Sequence, residues 1–366
     1  GGVNVKMILI NGKFLQQQLT GVQRVANEIV LELDNYNLNE DIFIITPNNK
    51  GSLKHRPKYK NIKLIEVGNL NPFWEQKELF LYYLKQKSDA VLFSFSGGFP
   101  IMVSQGIYFL HDINFKVNPS FFSKKYKIYH NLIVKSLKKK NEVYIVTNSN
   151  FSKREILRHY DFPPDKITVV PLGYEHFSNI VPNFDVLDKM HLKQKSFYLT
   201  IATLNKNKNL EIILKAAKYL KEEKFVVVGK RPEKKVFGNE DTFIDDLITL
   251  KNVIYTGYID DSSLAALYKS AKALIFPSFY EGFGLPALEA IYFKTPLFLS
   301  DIPVFREIFD NIATFFNPSN PESLVEIIKN EKNHSLNSDE RERILKQYTW
   351  KNCAKEILKI YFSNFK

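Results

Sequence analysis

Glu281 and Glu289 bracket most of the stretch Pro277 to Ala290, which reads Pro-Ser-Phe-Tyr-Glu-Gly-Phe-Gly-Leu-Pro-Ala-Leu-Glu-Ala. The apolar run Ala273 to Phe276 before it has the look of a buried parallel strand, and Pro286 suits the first position of a following helix. Gly282 and Gly284 let the backbone approach a ligand closely. The N–H groups from Gly284 and Leu285 onward would carry the positive end of the helix dipole, where a phosphate sits well. A lone carboxylate beside a phosphate would repel it, so both acids are expected to face neutral hydroxyls. Sugars and ribose offer these in adjacent pairs, and a carboxylate can accept two hydrogen bonds from such a pair. Two Glu at a fixed spacing also arise by accident in ordinary strand–loop–helix units; the complete string is far more specific.

That string resembles the signature of nucleotide-sugar-dependent retaining glycosyltransferases, in particular glycosyltransferase family 4. The resemblance implies that Glu289 holds the ribose hydroxyls, Glu281 the hydroxyls of the donor sugar, and Gly282, Phe283, Gly284 and Leu285 the departing diphosphate. It extends to Thr203-Leu-Asn-Lys-Asn-Lys208-Asn-Leu210, where the lysine matching Lys208 contacts the diphosphate and Thr203 lies beside it. This segment departs from the family pattern: Ala202 replaces a Gly and Asn207 an Arg, so that one cation carries what two often share. Leu19-Thr-Gly-Val-Gln-Arg24 is similar to the family's N-terminal glycine loop, which places Gly21 at the donor phosphates. His111-Asp112, at the end of an apolar run, is similar to a family position near the sugar, and makes His111 a candidate catalytic residue alongside Glu281. Tyr258 closes a segment similar to one flanking the nucleobase. Lys294 stands where the family usually has Gly.

These residues need elements to position them. Val5 to Asn11, Ile42 to Thr46, Lys63 to Val67, Ala90 to Phe93, Ile107 to Leu110, Val143 to Thr147 and Ile167 to Val170 are short apolar runs separated by helical or loop-like segments. Phe197 to Ala202, the run from Phe225, and Val253 to Tyr258 continue the alternation. It predicts an α/β chain of doubly wound parallel sheets, with ligands at the carboxyl ends of strands. Thr20-Gly21-Val22-Gln23 has the form of a capping box opening a helix from Gly21 to Leu33. The resemblance supplies the rest: a GT-B fold of two Rossmann-like domains facing across a cleft. We expect an acceptor-side domain over 1–178, a hinge over 179–195, a nucleotide-sugar-binding domain over 196–348, and a terminal helix over 349–366 crossing back to the first domain.

The chain has 366 residues and is 45% hydrophobic, enough for two cores. Its formal net charge is +12, and residues 1–180 hold 24 Lys plus Arg against 15 Asp plus Glu, so most of the excess lies in the first half. An anionic partner is implied there, with membrane surface, nucleic acid and acidic glycan all open. Residues 116–140 carry eight lysines, no acid and four interleaved aromatic residues, Phe121, Phe122, Tyr126 and Tyr129. On a helix, Ile128, Leu132, Val134 and Leu137 would face the core, and the lysines would be either solvated or set against an anionic membrane. No nucleic-acid motif accompanies the charge, so no nucleic-acid partner is expected.

Cys353 is the only cysteine, which excludes an intrachain disulfide and a Cys-based metal site. Met7-Ile-Leu-Ile10 is too short for a signal-peptide apolar region, and no run of about 18 apolar residues occurs. We expect a cytoplasmic chain, peripheral at the inner face of the membrane if the lysines contact lipid. No Asp-x-Asp stands at a strand end, so neither a metal nor another cofactor is expected. The expected reaction is transfer of a sugar with retention from a nucleotide-sugar donor to a glycan or lipid-linked glycan acceptor in bacterial surface polysaccharide synthesis. The glycine loop resembles bacterial polysaccharide mannosyltransferases, which favours GDP-mannose. The alternatives are a nucleotide-sugar epimerase of the same fold and a catalytically silent glycan- or nucleotide-binding scaffold.

Overall fold

A computed structural model of the chain describes residues 6–48, 57–86, 89–230, 245–246, 249–330 and 335–366. The Cα positions divide into two compact units, one of residues 1–113, 128–172 and 350–366, the other of residues 114–127 and 173–349.

The first unit is built on a parallel sheet in the order β3-β2-β1-β4-β5-β6-β7. Its strands are β1 (Met7–Asn11), β2 (Ile42–Thr46), β3 (Lys63–Glu66), β4 (Ala90–Ser94), β5 (Gln105–Phe109), β6 (Glu142–Thr147) and β7 (Ile167–Val169). Ile8, Leu9 and Ile10 of β1, and Val91, Leu92 and Phe93 of β4, are all buried. Strands covered on both faces need continuous apolar runs rather than alternation, which is why these segments stand out in the sequence. Helix Trp350–Phe365 packs on helix Val22–Leu33 within this unit, burying Trp350, Cys353, Ile357 and Tyr361.

The second unit repeats the winding with β8 (Phe197–Ile201), β9 (Lys224–Val228), β10 (Val253–Gly257), β11 (Ala273–Phe276), β12 (Leu297–Ser300) and β13 (Thr314–Phe316), ordered β10-β9-β8-β11-β12-β13 and parallel throughout. In both sheets the order reverses once, between β1 and β4 in the first and between β8 and β11 in the second. Such reversals open crevices at the carboxyl ends of strands, where ligands of this class of fold bind. Residues 179–195 pack on the second unit: Asn183 N–H donates to Ser262 O, and helix Asp185–Lys189 lies against helix Asp261–Ser270.

Two local expectations are corrected. No capping box forms at Thr20: helix Val22–Leu33 begins after Gly21, whose φ of 55° and ψ of −121° suit glycine, and no side chain caps it. In helix Lys124–Leu137 the buried face is Ile133, Val134 and Leu137, whereas Ile128 and Leu132 are each 52% exposed. Ser149, after β6, is buried and caps helix Asn150–Tyr160 by accepting from Ser152 N–H at 3.0 Å.

Candidate active site

The loops that follow β8 and β11, neighbours at the reversal of the second sheet, carry Lys208 and Glu281. After β8 a short 3-10 turn, Lys206–Lys208, is set by Asn205, whose side chain accepts from Lys208 N–H. Asn209 then enters the left-handed region at φ 56°, a conformation Asn tolerates better than most residues. Asn207 Nδ2 donates to Tyr280 O at 2.9 Å, Asn209 Nδ2 to Pro277 O at 2.9 Å, and Phe279 N–H to Asn207 O at 3.0 Å. The Lys208 turn is therefore laced to the front of the signature by amides. Asn207 is buried, and its amide nitrogen is committed to this lacing.

The lacing brings Lys208 Nζ to 2.6 Å from Glu281 Oε1, an oxygen that also accepts from Ser278 Oγ at 2.8 Å. The two side chains are 23% and 15% exposed, so the pair is reachable from solvent. Glu281 is expected from the resemblance to meet sugar hydroxyls, and its partners here are the Lys208 ammonium and the Ser278 hydroxyl.

Gly284 precedes helix Leu285–Tyr292 with φ 110°, and a Cβ there would come within 2.6 Å of the Phe305 ring. Both facts demand glycine. Pro286 is the second helical residue rather than the first, and Ala287 and Leu288 N–H both turn back to Gly284 O. The amides of Gly284 and Leu285 bond to no other described residue, leaving two donors at the positive end of the helix. Phe283 is 2% exposed and packs on Phe309 and Tyr348, so its side chain serves the core. Thr203 is half-buried just after β8, and Tyr258 is 53% exposed just after β10.

Glu289 lies in the second turn of helix Leu285–Tyr292 and is 7% exposed. Oε1 accepts from the Tyr268 hydroxyl at 2.9 Å and Oε2 from His176 Nε2 at 2.6 Å. Neither partner could be assigned from sequence: Tyr268 carries no motif, and His176 lies in a segment with little periodicity. The helix ends in a Schellman motif, with Thr295 N–H bonded to Ala290 O and Lys294 N–H to Ile291 O. Lys294 occupies its left-handed position at φ 61°, the reason a glycine is usual there.

In the first unit Gly21 is exposed ahead of its helix, and His111 follows β5. His111 stacks on Phe109 at 4.1 Å, and Nε2 donates to Phe95 O at 2.7 Å. A carbonyl only accepts, so Nε2 carries the proton and the neutral ring keeps Nδ1 as an acceptor. Burial lowers the His111 pKa to about 4, against the smaller opposing effect of the Phe95 bond. Sequence reasoning also missed Glu75, 3% exposed in the π-helical turn Glu75–Leu79. Oε2 accepts from Asn11 Nδ2 at 2.6 Å and Gly98 N–H at 3.0 Å, tying the ends of β1 and β4, and Lys13 Nζ lies 3.5 Å from Oε1. A buried acid carries no sequence mark that separates it from a solvated one.

Known proteins resemble the chain in sequence and fold. Residues 187–350 match the family described as Glycosyl transferases group 1. The chain is 28% identical over 282 residues to O-antigen chain mannosyltransferase B of Escherichia coli, covering 72% of this chain and 71% of that protein. It is 28% identical over 232 residues to O-antigen chain mannosyltransferase RfbU of Salmonella typhimurium, covering 63% and 62% respectively. The structure superposes on sucrose-phosphate synthase from Thermosynechococcus elongatus with a TM-score of 0.75 over 98% of this chain and 99% of that one, and at 16% identity the likeness is one of fold. Two parallel Rossmann-like sheets and the superposition give the chain the GT-B fold, and its residues 187–350 are similar to Glycosyl transferases group 1.

Proposed function

We propose that the chain transfers a hexose, with retention of anomeric configuration, from a nucleotide-sugar donor to a glycan or lipid-linked glycan in bacterial surface polysaccharide synthesis. The observation that carries this reading is the cluster at the reversal of the second sheet: the Gly284 and Leu285 amides, unpartnered among the described residues, with Lys208 on the adjoining loop. Amides and an ammonium fixed at one place suit a diphosphate whose charge grows as the sugar departs, and preorganised donors of this kind stabilise a leaving group most in the transition state. Lys208 exchanges Glu281 for the diphosphate, and Glu281 turns to the sugar hydroxyls. Glu289 accepts from the ribose, with Thr203 and Tyr258 beside the nucleotide. By resemblance Gly21 is assigned to the donor phosphates and His111 to the sugar, His111 through a neutral Nδ1 acceptor. The acceptor proton passes to the leaving phosphate in a same-face displacement, and no divalent metal takes part.

The O-antigen mannosyltransferase relatives favour GDP-mannose as donor. A thermal-shift screen of GDP, UDP and dTDP tests this first, with GDP expected to stabilise most. Transfer from GDP-mannose, followed by NMR of the product's anomeric centre, then tests retention. An inverted product overturns the mechanism, and conversion of the donor without acceptor would favour an epimerase. Full activity in excess chelator is expected if no metal is used.

The first half of the chain adds a surface. Helix Lys124–Leu137 presents Ile128 and Leu132 to solvent one turn apart, within the lysine-rich segment 116–140. Exposed aliphatic side chains among lysines support contact with an anionic membrane, where each basic residue near the surface contributes about 1 kcal/mol. Among the described residues no helix is long and apolar enough to cross a membrane.

A further inference from the structure

His176 and Glu289 come from segments far apart in sequence, and the second unit buries them together. His176 belongs to the 3-10 turn Glu175–Phe177, and its side chain is 1% exposed. Tyr268 reaches the same carboxylate from the third turn of helix Asp261–Ser270, whose start is fixed by Asp260 accepting from Ser263 N–H at 2.8 Å. The Tyr268 ring is stacked on Phe293 at 5.4 Å and meets the edge of Phe177 at 5.9 Å. Thr295 Oγ1 donates to Tyr268 O at 2.6 Å, joining the end of that helix to the segment after helix Leu285–Tyr292. Neither donor is free to swing.

The distribution of the two bonds matters more than their number. A carboxylate has about four lone-pair sites, two on each oxygen. One donor sits on Oε1 and one on Oε2, so each oxygen retains one acceptor site. The terminal torsion of a Glu side chain is broad and would otherwise let the group rotate. Two equal acceptors at fixed orientation match a pair of adjacent hydroxyls, one bond to each.

We infer that His176 and Tyr268 are positioning residues that hold Glu289 ready for a vicinal diol, and that the site therefore takes ribonucleoside diphosphates in preference to their 2′-deoxy counterparts. The inference rests on the proposed role of Glu289 at the nucleotide ribose. It adds two residues outside the signature and a class of donor the site rejects, the 2′-deoxyribonucleoside diphosphate sugars. A site built to bond a hydroxyl discriminates strongly against the analogue that lacks it, because its own buried polar group is left unpaired.

Isothermal titration with GDP and 2′-deoxy-GDP, and with UDP and 2′-deoxy-UDP, provides the test. Wild type should prefer the ribose form of whichever base it binds by at least about tenfold, the scale of one hydrogen bond to a charged group. Tyr268→Phe removes only the hydroxyl and His176→Phe removes the ring donor; each should cut that ratio by about tenfold. His176→Gln, which keeps an N–H, should recover part of it. Kinetically, the donor KM should rise in the Phe variants while kcat stays within about threefold, as expected for loss of uniform binding. Melting temperatures of all variants establish that they fold. If the Phe variants weaken ribose and deoxyribose forms equally, the two residues are only structural and the inference is overturned. If wild type binds both forms equally, the inference falls while the donor reading stands. If wild type binds no nucleotide at all, the donor reading itself fails.

Discussion

Lys208 and Glu281 meet at 2.6 Å across the ends of two neighbouring strands, a pair that the proposed function would open for the donor. As a partly exposed ion pair it contributes little to folding, on the order of 1 kcal/mol or less. Its weight falls on catalysis. Glu281→Ala is expected to abolish transfer, and Lys208→Ala to lower kcat/KM by about a hundredfold or more, with melting temperatures within a few degrees of wild type. Wild-type rates in Glu281→Ala would remove that carboxylate from the mechanism.

Lys294 holds a left-handed backbone conformation that costs a non-glycine residue roughly 1 kcal/mol. Lys294→Gly should therefore raise stability by about 0.5–1 kcal/mol, read from the midpoint of urea unfolding at unchanged slope. A lower midpoint would mean that the lysine side chain stabilises the turn by more than its backbone strain costs.

His111 and His130 both have their pKa lowered to about 4, each chiefly by burial and His130 further by the nearby Lys13 ammonium. The unfolded chain, with histidines near 6.5, binds more protons than the folded one between those values, so stability rises with pH there. Stability supplied by the neutral rings is complete above about pH 6.5 and declines as pH falls toward 4. Urea unfolding from pH 7.5 to 4.5 should show this decline, and His130→Phe should flatten part of it. An unaltered slope in that variant would count against a neutral, buried His130.

Ile128 and Leu132 should matter to membranes rather than to folding. The Ile128→Ser and Leu132→Ser double variant should keep its melting temperature within a few degrees yet bind phosphatidylglycerol vesicles at least about tenfold more weakly in a sedimentation assay, since a fully buried aliphatic side chain contributes about 1.5–3 kcal/mol. Equal binding by wild type and variant would remove these two side chains from any lipid contact.

Much of the frame was legible in advance. Ile42–Thr46 and Ala273–Phe276 match their apolar runs residue for residue, because parallel strands buried on both faces admit little else. Leu297–Ser300 and Thr314–Phe316 went unassigned, being only 4 and 3 residues long. At the site, the string from Pro277 to Ala290 predicted a helix start, and the Gly284 and Leu285 amides, without partners among the described residues, lie at that start. What spacing could not disclose were pairings over long separations: Lys208 with Glu281, and His176 with Glu289. Nor could it orient helix Lys124–Leu137, where Ile128 and Leu132 share a face with each other but not with the buried Val134 and Leu137. A helical period gives the angle between residues and leaves open which side meets the core.

Asn207 and Asn209, which bind the Lys208 turn to the signature loop, have a thermodynamic corollary. Both loops lose their backbone freedom when the chain folds, so an arriving nucleotide pays little additional conformational entropy to order them. Replacing Asn207 or Asn209 by alanine would return that freedom and loosen the fit, weakening ligand capture although neither amide touches the ligand.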